Sequence, residues 1–138
     1  MQLDKGHWSS AVLRIMSKSM SAEYISDKMD TKPTEYHIKG ELYSKRNPKS
    51  KIREENLWIL KSNLSEQESL ESHIKYFLSF LKERADSIIE LQQECEFEIM
   101  CAFSSENGQG GFTLDHEVIE ELTAYPIDLS INLYPPIK

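Results

Sequence analysis

Cysteine is scarce in this 138-residue sequence, and its two cysteines are placed where they cannot pair with each other. Cys95 and Cys101 belong to a strand-like alternating pattern, and their separation of six positions spans about 20 Å along a strand. A disulfide requires Cα atoms within about 7 Å of each other. We therefore predict two reduced cysteines on one buried strand face, and neither a redox pair nor a metal-binding pair.

Long apolar runs are absent as well. No segment approaches the roughly 18 apolar residues of a membrane-spanning helix, and residues 1–10 lack the apolar core of a secretory signal. Hydrophobic residues make up 39% of the chain and charged residues 28%, which is typical of a folded globular domain. We expect one cytoplasmic domain over residues 1–138, with residues 1–8 flexible and with no membrane partner.

The spacings of common catalytic and metal sites are also missing. The sequence has no His-x-x-x-His or Cys-x-x-Cys pair, no Gly-x-Ser-x-Gly motif and no glycine-rich phosphate loop. Asp115, His116 and Glu117 are adjacent, but acidic residues are favoured at the start of a helix, which explains them more simply. We therefore predict no catalytic residues, no metal and no cofactor. The sequence favours a protein that is not an enzyme and leaves enzymatic activity open.

Basic residues are missing from the C-terminal part of the chain. Residues 85–137 contain eleven acidic residues and no lysine or arginine, and 15 of the 16 basic residues precede them. With a net charge of −7, such a chain repels the phosphates of nucleic acids and would attract a basic protein. We expect no nucleic-acid partner and a basic protein partner, if the charge serves binding. Solubility is the alternative explanation of the same charge.

Apolar residues alternate in some segments and recur at helical spacing in others. The predicted strands cover residues 9–16, 35–43, 57–61, 95–103, 112–114 and 127–134. Three helical regions start at the capping residues Ser21, Ser65 and Asp115, and the second has a break near Asp86. The order is β-α-β-β-α-β-β-α-β, which predicts an α+β fold with a single mixed or largely antiparallel sheet and helices on one face.

A basic loop is predicted between the second and third strands. Residues 39–53 hold six basic residues and one acidic residue, with aromatic residues on both sides. Lys39, Arg53 and Trp58 are the candidate binding residues for an anionic ligand. The alternatives are a solvated loop without a binding role and a Trp58 that packs in the core.

Several short motifs occur in a fixed order along nearly the whole chain. They are Ala-Val-Leu-Arg-Ile at 11–15, Lys-Gly-Glu at 39–41, Asn-Leu-Trp at 56–58, His-Ile at 73–74, Gly-Gly-Phe-Thr-Leu at 110–114 and Asp-Leu-Ser-Ile-Asn-Leu-Tyr at 128–134. In this order they resemble the bacterial domain of unknown function 4279. The resemblance implies a compact α+β domain of bacterial type, and it brings no established activity and no catalytic residues. Where family members often have Leu-Gly, this chain has Met29 and Asp30.

Two functions are compatible with these observations. The first is a small non-catalytic protein-binding module, for example an immunity-type protein that neutralises a toxin by covering its basic surface. An acidic surface would speed association with such a partner. The second is a binder of, or enzyme for, a small anionic ligand in a pocket near Trp58 and the basic loop. The sequence does not indicate the oligomeric state.

Overall fold

The computed structural model describes residues 7–105 and 108–135. The elements in chain order are β1 (His7–Ser17), α1 (Ala22–Met29), β2 (Glu35–His37), β3 (Asn56–Lys61), α2 (Leu70–Lys82), α3 (Ala85–Leu91), β4 (Glu96–Ser105), α4 (His116–Thr123) and β5 (Ile127–Tyr134). The strands form one sheet in the order β2-β3-β1-β4-β5. β1 is antiparallel to β3 and β4, β2 is antiparallel to β3, and β5 is parallel to β4. This confirms the predicted α+β fold with a single mixed sheet.

One face of the sheet is buried under the helices. Ala11, Leu13 and Ile15 of β1 are almost fully buried, whereas the residues between them are only half-buried. β1 is the central strand, and it pairs with β4 so that Leu13 lies opposite Ile99 on the same face. Burying an aliphatic side chain of this size contributes about 1.5–3 kcal/mol. The alternation of residues along β1 that was predicted from the sequence therefore corresponds to one face covered by helices and one more open face.

Two of the three capping residues predicted from the sequence cap their helices. The Ser21 and Asp115 side chains accept hydrogen bonds from the third residue of α1 and of α4, as predicted. Ser65, the predicted cap of the long helix, is not its cap, because α2 begins only at Leu70 after Ser69. The carbonyls of the intervening turn bind Ser9 of β1 instead: Glu66 O accepts from the Ser9 amide at 2.9 Å and Glu68 O from its hydroxyl at 2.7 Å.

Asp30 takes a conformation that is unusual for a residue with a side chain. It ends α1 with φ 51° and ψ 44°, which is the left-handed region that glycine normally occupies at this position. Aspartate tolerates that region better than most residues. The chain therefore ends this helix in the usual geometry although it lacks the glycine.

One predicted strand is shorter than expected, and another is missing. The second strand contains only Glu35–His37, and the chain beyond it forms a loop in which Leu42 and Ile52 form an isolated bridge. Residues 112–114 are not a strand. β1 and β5 occupy both sides of β4, so residues 112–114 have no free edge of β4 with which to pair. Phe112 packs instead with its ring 5.5 Å from that of Phe103.

The described residues include only part of each end of the chain. β1 begins at His7, so residues 7 and 8 of the segment that we expected to be flexible lie in the sheet. Residues 1–6 fall outside the described residues. None of the helices in the described ranges is long and apolar enough to cross a membrane.

Candidate functional site

Trp58 lies in the core. Its side chain is fully buried, and its indole N–H donates a hydrogen bond to Ser26 Oγ of α1 at 2.9 Å. The ring therefore fixes α1 to β3, and no ligand can reach its face in this conformation. Of the two roles considered for Trp58, ligand binding and packing in the core, its burial corresponds to packing in the core.

Lys39 and Arg53 lie close together in the backbone of the basic loop, but their side chains have different partners. The amide of Gly40 donates to Arg53 O at 2.9 Å, which brings the two segments side by side. Lys39 Nζ donates to Lys18 O at 3.3 Å. The Arg53 guanidinium lies 4.5 Å from the centre of the Tyr43 ring. No hydrogen bond, ion pair or ring contact within the described residues joins either residue to the buried Trp58, and a binding role for Lys39 and Arg53 remains a prediction.

A groove opens beside this loop, between the N-terminal half of α1 and β2. Its volume is about 790 Å³, and its lining includes Ala22, Ser26, Pro33, Tyr36, Ile38 and Asn56. Trp58 is not part of this lining, although it donates a hydrogen bond to Ser26, which is. The charged residues in the lining are Glu23, Lys32 and Glu35. With two carboxylates and one ammonium, the groove does not favour an anion over a neutral ligand.

His73 is a buried polar residue to which the sequence assigned no functional role. Its Nδ1 atom lies 2.6 Å from Ser62 Oγ, and its Nε2 atom has no hydrogen-bond partner in the part of the chain that is described. Burial lowers the pKa of His73, and the nearby Ser65 and Ser9 carbonyls and Glu68 carboxylate oppose this only in part. The Ser62–His73 pair has the composition of a nucleophile and its base, but the imidazole is 1% exposed and cannot meet a substrate. It ties the segment after β3 to α2.

The two cysteines are free and buried, as predicted. Burial raises the pKa of the Cys101 thiol to about 12 and also raises that of Cys95. Both are therefore protonated thiols at neutral pH and poor nucleophiles. No group of three or more His, Cys, Asp or Glu residues within residues 7–105 and 108–135 could hold a metal ion.

The most distinctive surface of the molecule is formed by α4 and β5, which follow one another in the chain. β5 is an outer strand of the sheet. We call its exposed acidic and large apolar residues the acidic edge; they are Glu117, Ile119, Glu120, Glu121, Asp128, Leu133 and Tyr134. The sequence showed that basic residues are absent from this part of the chain, but it did not show that Ile119, Leu133 and Tyr134 are exposed.

The carboxylates of the acidic edge belong to the acidic residues that form no ion pair with a described residue, whereas several others are paired. Glu98 on the open face of the sheet pairs with Arg14 at 2.7 Å and accepts a hydrogen bond from Ser130. Glu90 of α3 pairs with Lys28 at 2.7 Å. In contrast, the four acidic residues of the acidic edge form no ion pair with any described residue. Their charge is available to an external partner.

α4 and β5 also expose large apolar side chains. Ile119 of α4 is 50% exposed, and Leu133 of β5 is 73% exposed. Tyr134, which is also half exposed, lies with its ring 5.7 Å from that of Trp8. Exposed large apolar residues on a charged part of the surface are compatible with contact to another macromolecule.

Comparisons with known proteins agree with the motifs seen in the sequence. The family described as Domain of unknown function (DUF4279) matches residues 7–136, which is nearly the whole chain. No curated protein and no solved structure is significantly similar to the chain.

Proposed function

The chain belongs to the DUF4279 family, and we propose that it is a non-catalytic protein-binding module that recognises a basic partner through its acidic edge. The observation that carries the proposal is that α4 and β5, which follow one another in the chain, expose four unpaired carboxylates together with the side chains of Ile119, Leu133 and Tyr134. The carboxylates attract a basic surface over several ångströms and increase the rate of association. The apolar side chains supply area that becomes buried on contact.

A charge-neutralised variant tests this function. The protein is used as bait in a lysate of the organism that encodes it, and bound proteins are quantified by mass spectrometry at about 0.15 M salt, where the screening length is about 8 Å. The test variant neutralises the three glutamates of α4: Glu117→Gln, Glu120→Gln and Glu121→Gln. The matched control removes the same charge elsewhere on the surface: Glu54→Gln, Glu55→Gln and Glu66→Gln.

We expect wild type and the control to retain the same basic protein and the α4 variant to lose most of it. The reason is that only the α4 variant weakens the field at the acidic edge. Equal retention by all three proteins, or the absence of any basic protein among those bound by wild type, would contradict the proposed function.

An immunity-type role is the specific form of this proposal that we favour, with the protein covering the basic surface of a toxin in the bacterial cytoplasm. A compartment that keeps thiols reduced suits the two buried free cysteines. Co-expression with the product of a neighbouring toxin gene should restore growth in wild type and not in the α4 variant. Growth arrest that wild type does not relieve would count against this form.

The groove beside α1 supports a second candidate function, the binding of a small ligand near the basic loop. Its volume of about 790 Å³ is in the range of small-molecule sites. Ser26 and Asn56 supply hydrogen-bonding groups, and Tyr36 and Ile38 supply apolar walls. Ligand binding there should raise the unfolding temperature of wild type but not of an Ala22→Trp variant, in which the larger side chain fills the groove. Equal stabilisation of both proteins would rule the groove out.

A further inference from the structure

The two edges of the sheet differ in a way that bears on how a partner binds. β2, at one edge, is only three residues long. β5, at the other edge, has eight residues and contains no proline, glycine or lysine. Proteins usually protect an exposed edge by making it short or by placing proline or lysine in it, because its free N–H and C=O groups can pair with another chain. β5 has none of these protections along its length.

The side chains of β5 extend the surfaces of β4 toward this open edge. On the helix-covered face, Leu133 lies opposite Phe103, whose ring contacts Phe112. On the other face, Asp128 lies opposite Glu98. A strand added beyond β5 would therefore place an apolar side chain next to Leu133 on one face and a basic side chain next to Asp128 on the other. Alternation of the two classes is the natural pattern of such a strand.

Charge decides which chain is suited to this edge. Pairing of β5 with β5 of a second copy would bring two acidic edges together, and each copy carries a net charge of −7. Like charges placed opposite each other across an interface are unfavourable. A basic segment of another protein gains backbone hydrogen bonds, covers Leu133 on one face and meets Asp128 on the other, and the negative charge of the α4 glutamates adds attraction at longer range. A heterologous basic segment is thus favoured over self-association.

We propose that the outer edge of β5 binds an extended basic segment of the partner as a sixth strand of the sheet. The inference rests on the proposed function, because it specifies how the acidic edge recognises a basic protein. Backbone pairing supplies hydrogen bonds that do not depend on the partner's sequence, and the alternating side chains supply the preference for basic and apolar residues.

A synthetic peptide serves as the probe. It has eight residues, to match the length of β5, with lysine alternating with valine and threonine, and both ends are capped. Binding to the full chain is measured by titration calorimetry, and amide hydrogen exchange is measured residue by residue with and without peptide. A peptide with glutamate in place of lysine is the matched negative control.

The exchange pattern separates strand addition from simple attraction. Strand addition should slow exchange at alternate amides of residues 127–134, since only every second N–H of an edge strand points outward. Attraction of the peptide to the carboxylates alone would leave these amides unchanged. Slowed exchange on α4 without the alternating pattern on β5 would overturn the inference while leaving the proposed function in place.

Single substitutions test the edge independently. Leu133→Lys places a cation on the exposed edge without removing a core side chain, and it should weaken binding of the lysine peptide by about fivefold or more. Ile38→Lys adds the same charge at an exposed site near the other edge, and it should change the affinity by less than about twofold. Thermal unfolding checks that both variants are folded.

Three results would overturn the inference. They are unchanged binding in Leu133→Lys, equal weakening in both lysine variants, and protection of β5 that grows with protein concentration in the absence of peptide, which would identify a second copy as the occupant. Failure of the proposed function itself is distinguishable, because neither the lysine peptide nor a basic protein from the lysate would then bind.

Discussion

Arg84 should contribute more to stability than any arginine of the basic loop, because it joins three parts of the helical layer. Its Nε donates to Met29 O at the end of α1 at 2.6 Å, and its Nη1 donates to Phe80 O in α2 at 3.1 Å. Its Nη2 donates to Thr31 Oγ1 at 3.2 Å. The guanidinium also lies 3.8 Å from the centre of the Phe80 ring.

The expected loss follows from these contacts. Hydrogen bonds from a charged donor contribute about 1.5–3 kcal/mol each when they are well formed, and a partly exposed cation–π contact adds about 0.5–1 kcal/mol. The Arg84 side chain is 21% exposed, so water recovers part of this loss. Arg84→Met keeps the aliphatic stem and removes every donor, and we expect the free energy of unfolding to fall by about 2–3 kcal/mol.

Urea unfolding followed by far-ultraviolet circular dichroism measures this difference. Arg84→Lys retains the charge but not the planar fork, so it should recover about half of the loss. Arg46→Met is the control, because Arg46 is exposed in the basic loop and should change stability by less than about 0.5 kcal/mol. An Arg84→Met variant as stable as the control would refute the reasoning that these hydrogen bonds hold α1 to the rest of the helical layer.

Two further predictions concern buried titratable groups. Burial lowers the pKa of His73, so the folded state binds its proton less well than the unfolded state. Stability should therefore be fully present above a pH of about 6.5 and decrease as the pH falls toward the folded-state pKa. His73→Gln should flatten this decrease in urea midpoints measured between pH 8 and pH 5, and an unchanged slope would assign the effect to other groups. For the cysteines, a thiol reagent at pH 8 should not react with Cys101 in the native protein, because burial raises its pKa to about 12, and should detect two thiols after unfolding. Fewer than two thiols in the unfolded, non-reduced protein would contradict the free cysteines.

Much of the fold could be predicted because it depends on neighbours in the sequence. The alternation in β1 and β4 and the helical spacing in α2 each reflect one buried face, and a buried face leaves a period in the sequence. The caps Ser21 and Asp115 are also local, since a capping side chain binds an amide three residues away. Such features require no knowledge of the rest of the chain.

The errors arose where a distant segment decided the outcome. Ser65 has a good capping pattern, but the carbonyl groups of Glu66 and Glu68 that follow it accept hydrogen bonds from Ser9 of β1. Residues 112–114 alternate as a strand does, but β4 already has a neighbour on each side. The roles of Trp58 and His73 were undecided or missed for the same reason, since their partners Ser26 and Ser62 are set by how α1 and α2 pack on the sheet.

The sequence by itself determined the class of fold, the family, the buried cysteines and the unequal distribution of charge, because composition and period are properties of single segments. The tertiary structure alone decided which carboxylates are paired and which are free. It also decided that β5 runs parallel to β4 and lies at an edge. A parallel pair needs a crossover, here through α4, and nothing local to either strand specifies which neighbour it will have. The surface that we propose as the binding site exists because this crossover joins an acidic helix, through a short connection, to an open edge strand.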